Sequence, residues 1–289
     1  MTETKPKHPT LLPELYVKVT YQKWFTMVAN ELGALHGTFP SGSTKDQQFL
    51  DLGCGPGNIT RDVLLTQCPP CRRFVAADSS EDMLAYARKH FAHPKICYEA
   101  LDILANNDVS DFVRRYGRFD LIYSLLCFNW LRDQAKAFKN VAKVMKPGGE
   151  GLFWFHASAP QMRFRQKLTR MRRWNKYAKI LEDSLPPTVD LVGDEALVAH
   201  MLGLLNIAQL TPSMCEVRRD FYGRHANLEH LIQDLMAINP IRALLTEEEE
   251  QLLLEDATTE ATQLWADKEA GGSFLAFDVF VVRASKPGS

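Results

Sequence analysis

An apolar run that ends in a glycine-rich turn, FLDLGCGPGN at residues 49–58, limits the folds available to this chain. Gly53 and Gly55 allow the backbone to turn tightly and to approach a ligand closely, because neither residue carries a Cβ atom. A helix that begins after Gly57 would point its unpaired N–H groups at the same place. The segment therefore predicts a strand, a ligand-binding turn and a helix in direct succession.

Segments with strand-like and helix-like patterns alternate on both sides of this turn. We predict strands at residues 49–52, 73–77, 96–100, 119–126 and 151–155 and helices at residues 13–35, 59–65, 80–90 and 134–145. After His156 the pattern is helical to about residue 210, and strand-like runs at 216–222 and 274–283 then enclose a helical stretch at 228–268. This alternation predicts an α/β fold with a mostly parallel sheet, in which ligands bind at the carboxyl ends of the strands.

Two acidic positions follow the turn in the order that a cofactor-binding sheet requires. Asp78 ends the second predicted strand, where a carboxylate can bind both hydroxyl groups of a ribose. Asp102 and Ile103 follow the third strand, where an acid and an apolar side chain can flank an adenine. The turn is not a dinucleotide fingerprint, because Asn58 takes the place of the third glycine, and the P-loop sequence is absent.

Together these motifs resemble the class I S-adenosylmethionine-dependent methyltransferases over about residues 45–156. The resemblance implies S-adenosylmethionine as cofactor and a Rossmann-like fold, with a mostly parallel seven-stranded sheet and an antiparallel strand that residues 274–283 can supply. It places these residues at the cofactor: Asp51, Gly53, Cys54, Gly55, Gly57, Asp78, Ser79, Met83, Asp102, Ile103 and Ser124. A Rossmann-like fold with chance glycines is the alternative, and it does not readily explain several motifs in one order.

The chain also resembles, more weakly but over its whole length, the juvenile hormone acid O-methyltransferases of arthropods. The shared features are Leu15-Tyr16, Gln22-Lys23, Cys127-Phe128-Asn129-Trp130 and Ala237-Ile238-Asn239-Pro240. This resemblance implies esterification of a lipophilic sesquiterpenoid acid, such as a juvenile hormone acid or farnesoic acid, with Gln22 and Trp130 holding the carboxylate oxygens. Two departures fall in the acceptor region: Asn129 replaces the usual histidine, and the spacing to Gln22 is one residue shorter.

A carboxylate acceptor also suits the chemistry of methyl transfer. A carboxylic acid is ionised at pH 7, so methyl transfer to it needs no general base. An apolar pocket favours the reaction, because the positive sulfonium and the negative carboxylate lose charge on the way to the transition state. If the acceptor must lose a proton, His156 after the fifth strand is the candidate base.

Other interpretations stay open beside this one. Trp130 can be a core aromatic residue, and Gln22 can be an exposed helix residue. The acceptor can be another small molecule, such as a quinone precursor, a small polycarboxylate or an acyl-carrier-bound acid. The chain can also be a cofactor-binding sensor or scaffold whose acceptor site has drifted.

Composition and charge exclude several further classes of protein. Hydrophobic residues make up 46% of the 289 residues, and 34 Lys and Arg residues balance 35 Asp and Glu residues, so we expect no nucleic-acid partner. No run of about 20 apolar residues predicts a membrane span. The polar N-terminus and six scattered cysteines favour a cytoplasmic protein with reduced thiols. Cys68-Pro69-Pro70-Cys71 lacks further zinc ligands, so we expect no metal site.

We expect one methyltransferase domain over residues 1–289, made of four parts. These parts are an N-terminal helical lid at 13–35, a cofactor-binding core at 45–156, a helical insertion at 157–210, and strands with a helix at 211–285 that complete the sheet. Within the insertion, residues 161–179 carry eight basic residues and no acid. This pattern favours a solvated lid or, at most, peripheral contact with an anionic membrane. The oligomeric state is left open.

Overall fold

Seven strands form one sheet in the computed structural model, which describes residues 11–36, 46–219, 225, 227–270 and 277–288, without the side chains of 19–27 and 34–36. The strands are β1 (Gln48–Leu52), β2 (Arg73–Asp78), β3 (Ile96–Ala100), β4 (Phe119–Leu125), β5 (Met145–Ser158), β6 (Thr211–Arg218) and β7 (Asp278–Ser285). Their order across the sheet is β3-β2-β1-β4-β5-β7-β6. Strands β1 to β5 are parallel, and β7 is antiparallel to both β5 and β6. The predicted Rossmann-like sheet is confirmed.

Helices cover both faces of this sheet and extend beyond its edge. The α-helices are α1 (Pro13–His36), α2 (Leu65–Gln67), α3 (Glu81–His90), α4 (Asn106–Tyr116), α5 (Gln134–Val144), α6 (Pro160–Thr169), α7 (Ala178–Asp183), α8 (Asp194–Ile207), α9 (Leu228–Ala237) and α10 (Glu247–Glu269). A π-helix at Thr60–Leu64 leads into α2, and short 3-10 turns lie at Phe128–Trp130, Arg172–Tyr177, Pro187–Asp190 and Arg242–Leu244. Within the described ranges, no helix is long and apolar enough to cross a bilayer.

Helix α4 and strand β6 differ from the sequence-based expectation. Helix α4 was not predicted, although Val109, Phe112, Val113 and Tyr116 recur at helical spacing and pack against the core. Strand β6 begins at Thr211 rather than at residue 216, and residues 220–222 of the predicted run lie outside the described residues. β6 is the outermost strand of the sheet, where the missing N–H of Pro212 costs no ladder hydrogen bond.

Residues 146–149, a Lys-Pro-Gly-Gly sequence typical of a turn, lie inside the continuous strand β5. Phe119 pairs with Met145, and Leu121 already pairs with Glu150, so the four residues of the turn bulge out of the ladder. The Lys146 ammonium donates to both carboxylate oxygens of Asp120 at 2.8 Å, which fixes the bulge against β4.

The basic segment at residues 161–179 is not one amphipathic helix. It divides into α6, the turn at Arg172–Tyr177 and the beginning of α7. Its large apolar side chains, Phe164, Leu168 and Trp174 among them, are buried against α9 and α10. Since this apolar face is covered, the segment does not offer the surface that insertion into a membrane requires.

A cluster of three aromatic rings joins β1, which ends at the glycine-rich turn, to its neighbours β2 and β4. Phe74 on β2 stacks on Tyr123 of β4 at 6.2 Å between ring centroids, and it meets Phe49 of β1 edge-on at 6.3 Å. All three side chains are fully or almost fully buried. Because buried aromatic pairs add stabilisation beyond the area they bury, this cluster fixes β1, β2 and β4 relative to one another.

Replacing Phe74 by alanine should therefore lower the free energy of unfolding by about 3–5 kcal/mol, because the cavity left in a packed core collapses only in part. Urea denaturation followed by circular dichroism measures this loss. Val192→Ala is the control, since the Val192 side chain is 90% exposed and its loss should change stability by less than about 0.5 kcal/mol. Equal stabilities for the two variants would contradict this account of the core.

Candidate active site

A cavity opens at the carboxyl ends of β1, β2, β3 and β4, with about 810 Å³ of empty space when the open solvent at its mouth is included. Eight residues that the sequence singled out for the site line this cavity: Gly53, Gly55, Asp78, Ser79, Met83, Asp102, Ile103 and Trp130. They come from four separate loops, which the parallel sheet brings to one edge. The cavity therefore unites most of the predicted cofactor residues.

The glycine-rich turn forms the floor of the cavity. Gly53 has φ +79° and its N–H donates to the Ala77 carbonyl at 2.7 Å. A Cβ atom at Gly53 would lie 2.4 Å from both Cβ and Sγ of Cys127, so the ends of β1 and β4 approach as closely as they do only with glycine there. At Gly55, where φ is +53°, a Cβ atom would meet nothing within 4 Å. Gly55 therefore borders open space.

Asp78 connects this turn to the next helix. One carboxylate oxygen accepts a hydrogen bond from the Gly55 N–H at 2.8 Å, and the other accepts from the Ser80 N–H at 2.9 Å. Ser80 in turn caps α3 by accepting from the Met83 N–H at 3.3 Å. These contacts hold the carboxylate of Asp78 at the wall of the cavity.

The loop after β3 is held by similar contacts. Asp102 accepts a hydrogen bond from the Leu104 N–H at 2.8 Å, and the buried Asn140 amide donates to the Ile103 carbonyl at 2.7 Å. Ile103 itself is 5% exposed. The predicted pair of an acid and an apolar side chain thus lies at the cavity wall with its backbone fixed.

Four predicted cofactor residues lie behind the cavity instead of lining it: Asp51, Cys54, Gly57 and Ser124. The Ser124 hydroxyl is fully buried and donates to the Leu52 carbonyl at 2.8 Å. Gly57 packs under the ring of Tyr98, where a Cβ atom would lie 2.6 Å from the phenol oxygen. These residues support the turn from behind. The sequence motif alone does not distinguish residues that support the turn from residues that contact the ligand.

Asp51 is a buried carboxyl group directly below the turn. It accepts a hydrogen bond from the Thr60 hydroxyl at 2.6 Å and is 2% exposed. Burial raises the pKa of Asp51 to about 7, the Thr60 hydrogen bond opposes this rise, and the charge of Asp78 adds to it. A positive group above the turn would favour the ionised form.

The two thiols beside the turn are not nucleophiles at neutral pH. Burial and the charge of Asp78 raise the pKa of Cys127 to about 12, and burial raises the pKa of Cys54 well above its usual range. Both groups therefore stay protonated in the neutral range.

A second, smaller cavity adjoins the first, with about 380 Å³ of empty space when open solvent is included. Tyr16 of α1, Leu126 and Trp130 line both cavities. Leu126 follows β4 with φ +58°, which is unusual for a residue with a branched side chain, and its N–H donates to the Trp154 carbonyl at 2.7 Å. This turn directs the segment that ends at Trp130 back across the cavities.

Trp130 lies on the boundary between the two cavities, and both its indole N–H and its aromatic ring contact other side chains. Its indole N–H donates to the Asn129 amide oxygen at 3.2 Å, with the amide oriented so that its nitrogen donates to the Leu126 carbonyl at 3.1 Å. The guanidinium carbon of Arg165 lies 4.2 Å from the centre of the Trp130 ring. The indole N–H expected to hold an acceptor carboxylate thus has Asn129 as its acceptor.

The other two predicted acceptor residues differ in what the structure describes. His156 lines the second cavity, is 7% exposed, and has its ring centre 5.5 Å from that of Phe277. Gln22 lies in α1, but its side chain is outside the described part of the chain. A role for either residue stays a prediction.

Sequence reasoning gave no role to several residues of the second cavity, among them Tyr16, Gln161 and Arg165. Arg165 is 2% exposed, and burial lowers its pKa to about 9, so it is charged at neutral pH. A signal for it exists in the sequence. Arg165 lies three residues after Met162 and three before Leu168, which places it in the middle of the buried face of α6.

Comparison with known proteins finds a matching family and several similar proteins. Residues 49–149 match a family described as methyltransferase domain. The chain is 27% identical to juvenile hormone acid O-methyltransferase of Bombyx mori over 194 residues, which are 67% of this chain and 66% of that protein. It is 33% identical to trans-aconitate 2-methyltransferase of Variovorax paradoxus over 102 residues, which are 35% of this chain and 36% of that protein. The chain thus spans just under two thirds of the first relative and about a third of the second.

A solved structure agrees with the fold. Phosphoethanolamine N-methyltransferase 2 of Haemonchus contortus, in complex with S-adenosyl-L-methionine, resembles this chain with a TM-score of 0.51 at 16% identity. The likeness covers 95% of this chain and 56% of that protein. Residues 49–149 therefore match the methyltransferase-domain family, in a chain with a Rossmann-like sheet that resembles the juvenile hormone acid O-methyltransferases.

Proposed function

We propose that this protein is an S-adenosylmethionine-dependent O-methyltransferase that esterifies the carboxylate of a small lipophilic acid. The observation that carries the proposal is the pair of adjoining cavities. One is bordered by the glycine-rich turn and Asp78, and the other is lined largely by apolar and aromatic side chains with the buried cation of Arg165. A cofactor and an anionic acceptor can meet where Tyr16, Leu126 and Trp130 line both.

The residues around the first cavity fit S-adenosylmethionine. Gly55 leaves space where a side chain would stand, so a ligand can lie against the backbone of the turn. We assign the ribose hydroxyls to Asp78, whose carboxylate lies at the wall of this cavity directly after β2. We assign the adenine to the wall formed by Asp102, Ile103 and Met83.

The acceptor needs orientation and an environment free of water more than it needs a base. When bound, S-adenosylmethionine supplies the methyl group: a carboxylate oxygen bonds to the methyl carbon as the bond from that carbon to the sulfonium sulfur breaks, which leaves a neutral ester and S-adenosylhomocysteine. Leu126, Trp130 and Met162 exclude water from the second cavity, which favours a reaction that consumes charge. We propose that α1 and α6 form the cover of this site, since both supply lining residues.

The names of the relatives support a carboxylate acceptor. Juvenile hormone acid and trans-aconitate, the substrates named for the two relatives, are both acids. The second cavity favours the lipophilic class, because Ile238, Ala159 and Met162 line it beside the aromatic residues and no described carboxylate side chain does. We therefore propose a terpenoid acid such as farnesoic acid as the test substrate.

Methyl transfer to a panel of acids tests this function. Incubation with methyl-labelled S-adenosylmethionine should convert farnesoic acid to its methyl ester and leave farnesol, its alcohol counterpart, unlabelled. Extraction followed by mass spectrometry measures both products. Binding of S-adenosylmethionine without transfer to farnesoic acid, trans-aconitate or any other acid would refute carboxyl methylation.

Asp78→Ala should weaken S-adenosylmethionine binding more than tenfold, because hydrogen bonds to a charged group contribute about 1.5–3 kcal/mol each. Isothermal titration calorimetry without an acceptor acid gives the affinity for S-adenosylmethionine. The far-ultraviolet circular dichroism spectrum checks the fold. Asp82→Ala is the matched control, since Asp82 is exposed in the first turn of α3 and does not line the cavity. An affinity that Asp78→Ala leaves unchanged would remove this carboxylate from the cofactor site.

The raised pKa of Asp51 makes stability depend on pH in one direction. An unfolded aspartate ionises near pH 3.9, whereas burial raises the pKa of Asp51 to about 7, so the folded protein holds a proton between these values that the unfolded chain has lost. The stabilising contribution of this carboxyl is therefore complete below about pH 4 and declines as the pH rises to about 7.

Comparison with Asp51→Asn isolates this effect, because the amide does not titrate. Urea denaturation at pH 5, 6, 7 and 8 should show the free energy of unfolding of the wild type falling relative to that of Asp51→Asn, by up to about 1.4 kcal/mol per pH unit, with little change above pH 7.5. A difference that stays constant from pH 5 to pH 8 would show that Asp51 does not titrate in this range.

A further inference from the structure

The second cavity contains buried polar groups that the fold leaves without partners. Nη1 of Arg165 is buried and has no hydrogen-bond partner among the described residues, and the same is true of both amide atoms of Gln161. Arg165 and Gln161 lie one turn apart on α6 and both line this cavity. Buried polar groups in folded proteins are normally satisfied, so a cluster of such atoms around a cavity indicates a missing polar ligand.

We propose that Arg165 and Gln161 form a carboxylate-binding subsite that holds the acceptor acid beside the cofactor. The inference rests on the proposed function and identifies the group that selects an acid over a neutral molecule. A guanidinium presents two parallel N–H groups that match the two oxygens of a carboxylate. The Gln161 amide nitrogen supplies a further donor at the same wall.

The charge of Arg165 has no counter-ion in the described part of the chain. No Asp or Glu side chain there lies within ion-pair distance of it, although Lys167, two residues along the same helix, pairs with Glu260. In the 3-10 turn at Arg172–Tyr177, Lys176 pairs with Glu249 at 2.5 Å. Moving a charge from water into a protein interior costs several kcal/mol unless an opposite charge is near. A carboxylate bound in the cavity would supply that opposite charge to Arg165.

Neighbouring contacts fix the orientation of the guanidinium. Its Nε donates to the Gln161 carbonyl at 3.3 Å, and its plane lies over the Trp130 ring with the central carbon 4.2 Å from the ring centre. Cation–π contact of this kind holds a buried arginine without consuming its donors. Since Trp130 also lines the first cavity, the guanidinium is held at the wall shared with the cofactor site.

Asn129 explains why the arginine is needed for this task. The Trp130 indole N–H, a candidate donor for the acceptor carboxylate, donates instead to the Asn129 amide oxygen at 3.2 Å. An indole N–H has a single hydrogen to donate. Arg165 can therefore replace it as the donor at this end of the cavity.

Arg165→Met tests the subsite by ligand affinity rather than turnover. Calorimetry with S-adenosylhomocysteine present compares farnesoic acid with farnesol, two probes that share the chain and differ in the carboxylate. The wild type should bind the acid at least tenfold more tightly than the alcohol. Arg165→Met should abolish this preference and leave the affinity for S-adenosylhomocysteine unchanged. Arg172→Met is the matched control from the same basic segment, because Arg172 is exposed and lines neither cavity.

Thermal unfolding without ligand separates a binding role from a packing role. Removing a buried cation that has no counter-ion should leave the Tm of Arg165→Met equal to or above that of the wild type. A Tm lower by about 5 °C or more would make Arg165 a packing residue and overturn the inference. If Arg165→Met does not fold, Arg165→Lys serves, and it should reduce the preference for the acid because a lysine lacks the paired donors.

The outcomes distinguish this inference from the function on which it rests. Full preference for farnesoic acid in Arg165→Met or in Arg165→Lys would overturn the subsite and leave carboxyl methylation intact. Absence of preference in the wild type, together with no methyl ester formed from any acid, would overturn both. Loss of preference at an unchanged Tm supports the subsite.

Discussion

The carboxylate of Asp78 holds together the two segments on which the first cavity depends. Its oxygens accept from the backbone N–H groups of Gly55 and Ser80, so one side chain fixes both the glycine-rich turn after β1 and the beginning of α3 after β2. Backbone donors at such loops otherwise need water or a ligand as partners. By satisfying one donor on each side, Asp78 sets the width of the cleft before any ligand binds.

The central strands could be predicted from their continuous burial, whereas the two edge strands differed from each other. β1, β2 and β4 matched the expectation within one or two residues because parallel strands covered on both faces are largely apolar, and the partly buried edge strand β3 matched it too. β6 did not, because Pro212 reads as a turn until the strand is known to lie at the edge. The sequence did contain a signal for α4, which was missed. Val109, Phe112, Val113 and Tyr116 recur at the spacing of one helix face.

The cofactor side of the site could be predicted more fully than the acceptor side. Residues such as Gly53 and Asp78 stand within or directly after strands, so their positions follow from a local motif and the order of the sheet. The acceptor cavity brings together Tyr16 of α1, Trp130 after β4 and Arg165 of α6, and no local pattern relates these segments. Asn129 was visible in the sequence as a departure, but its consequence for Trp130 required the side-chain geometry.

Gly53 and Gly55, two residues apart in one turn, differ in what a side chain would disturb. A side chain at Gly53 would collide with Cys127 inside the protein, so a substitution there would interfere with folding. A side chain at Gly55 would project into open space, at a backbone cost of about 1–2 kcal/mol for its positive φ, and would obstruct only a bound ligand. In a descendant that no longer bound its cofactor, Gly55 would be free to drift long before Gly53.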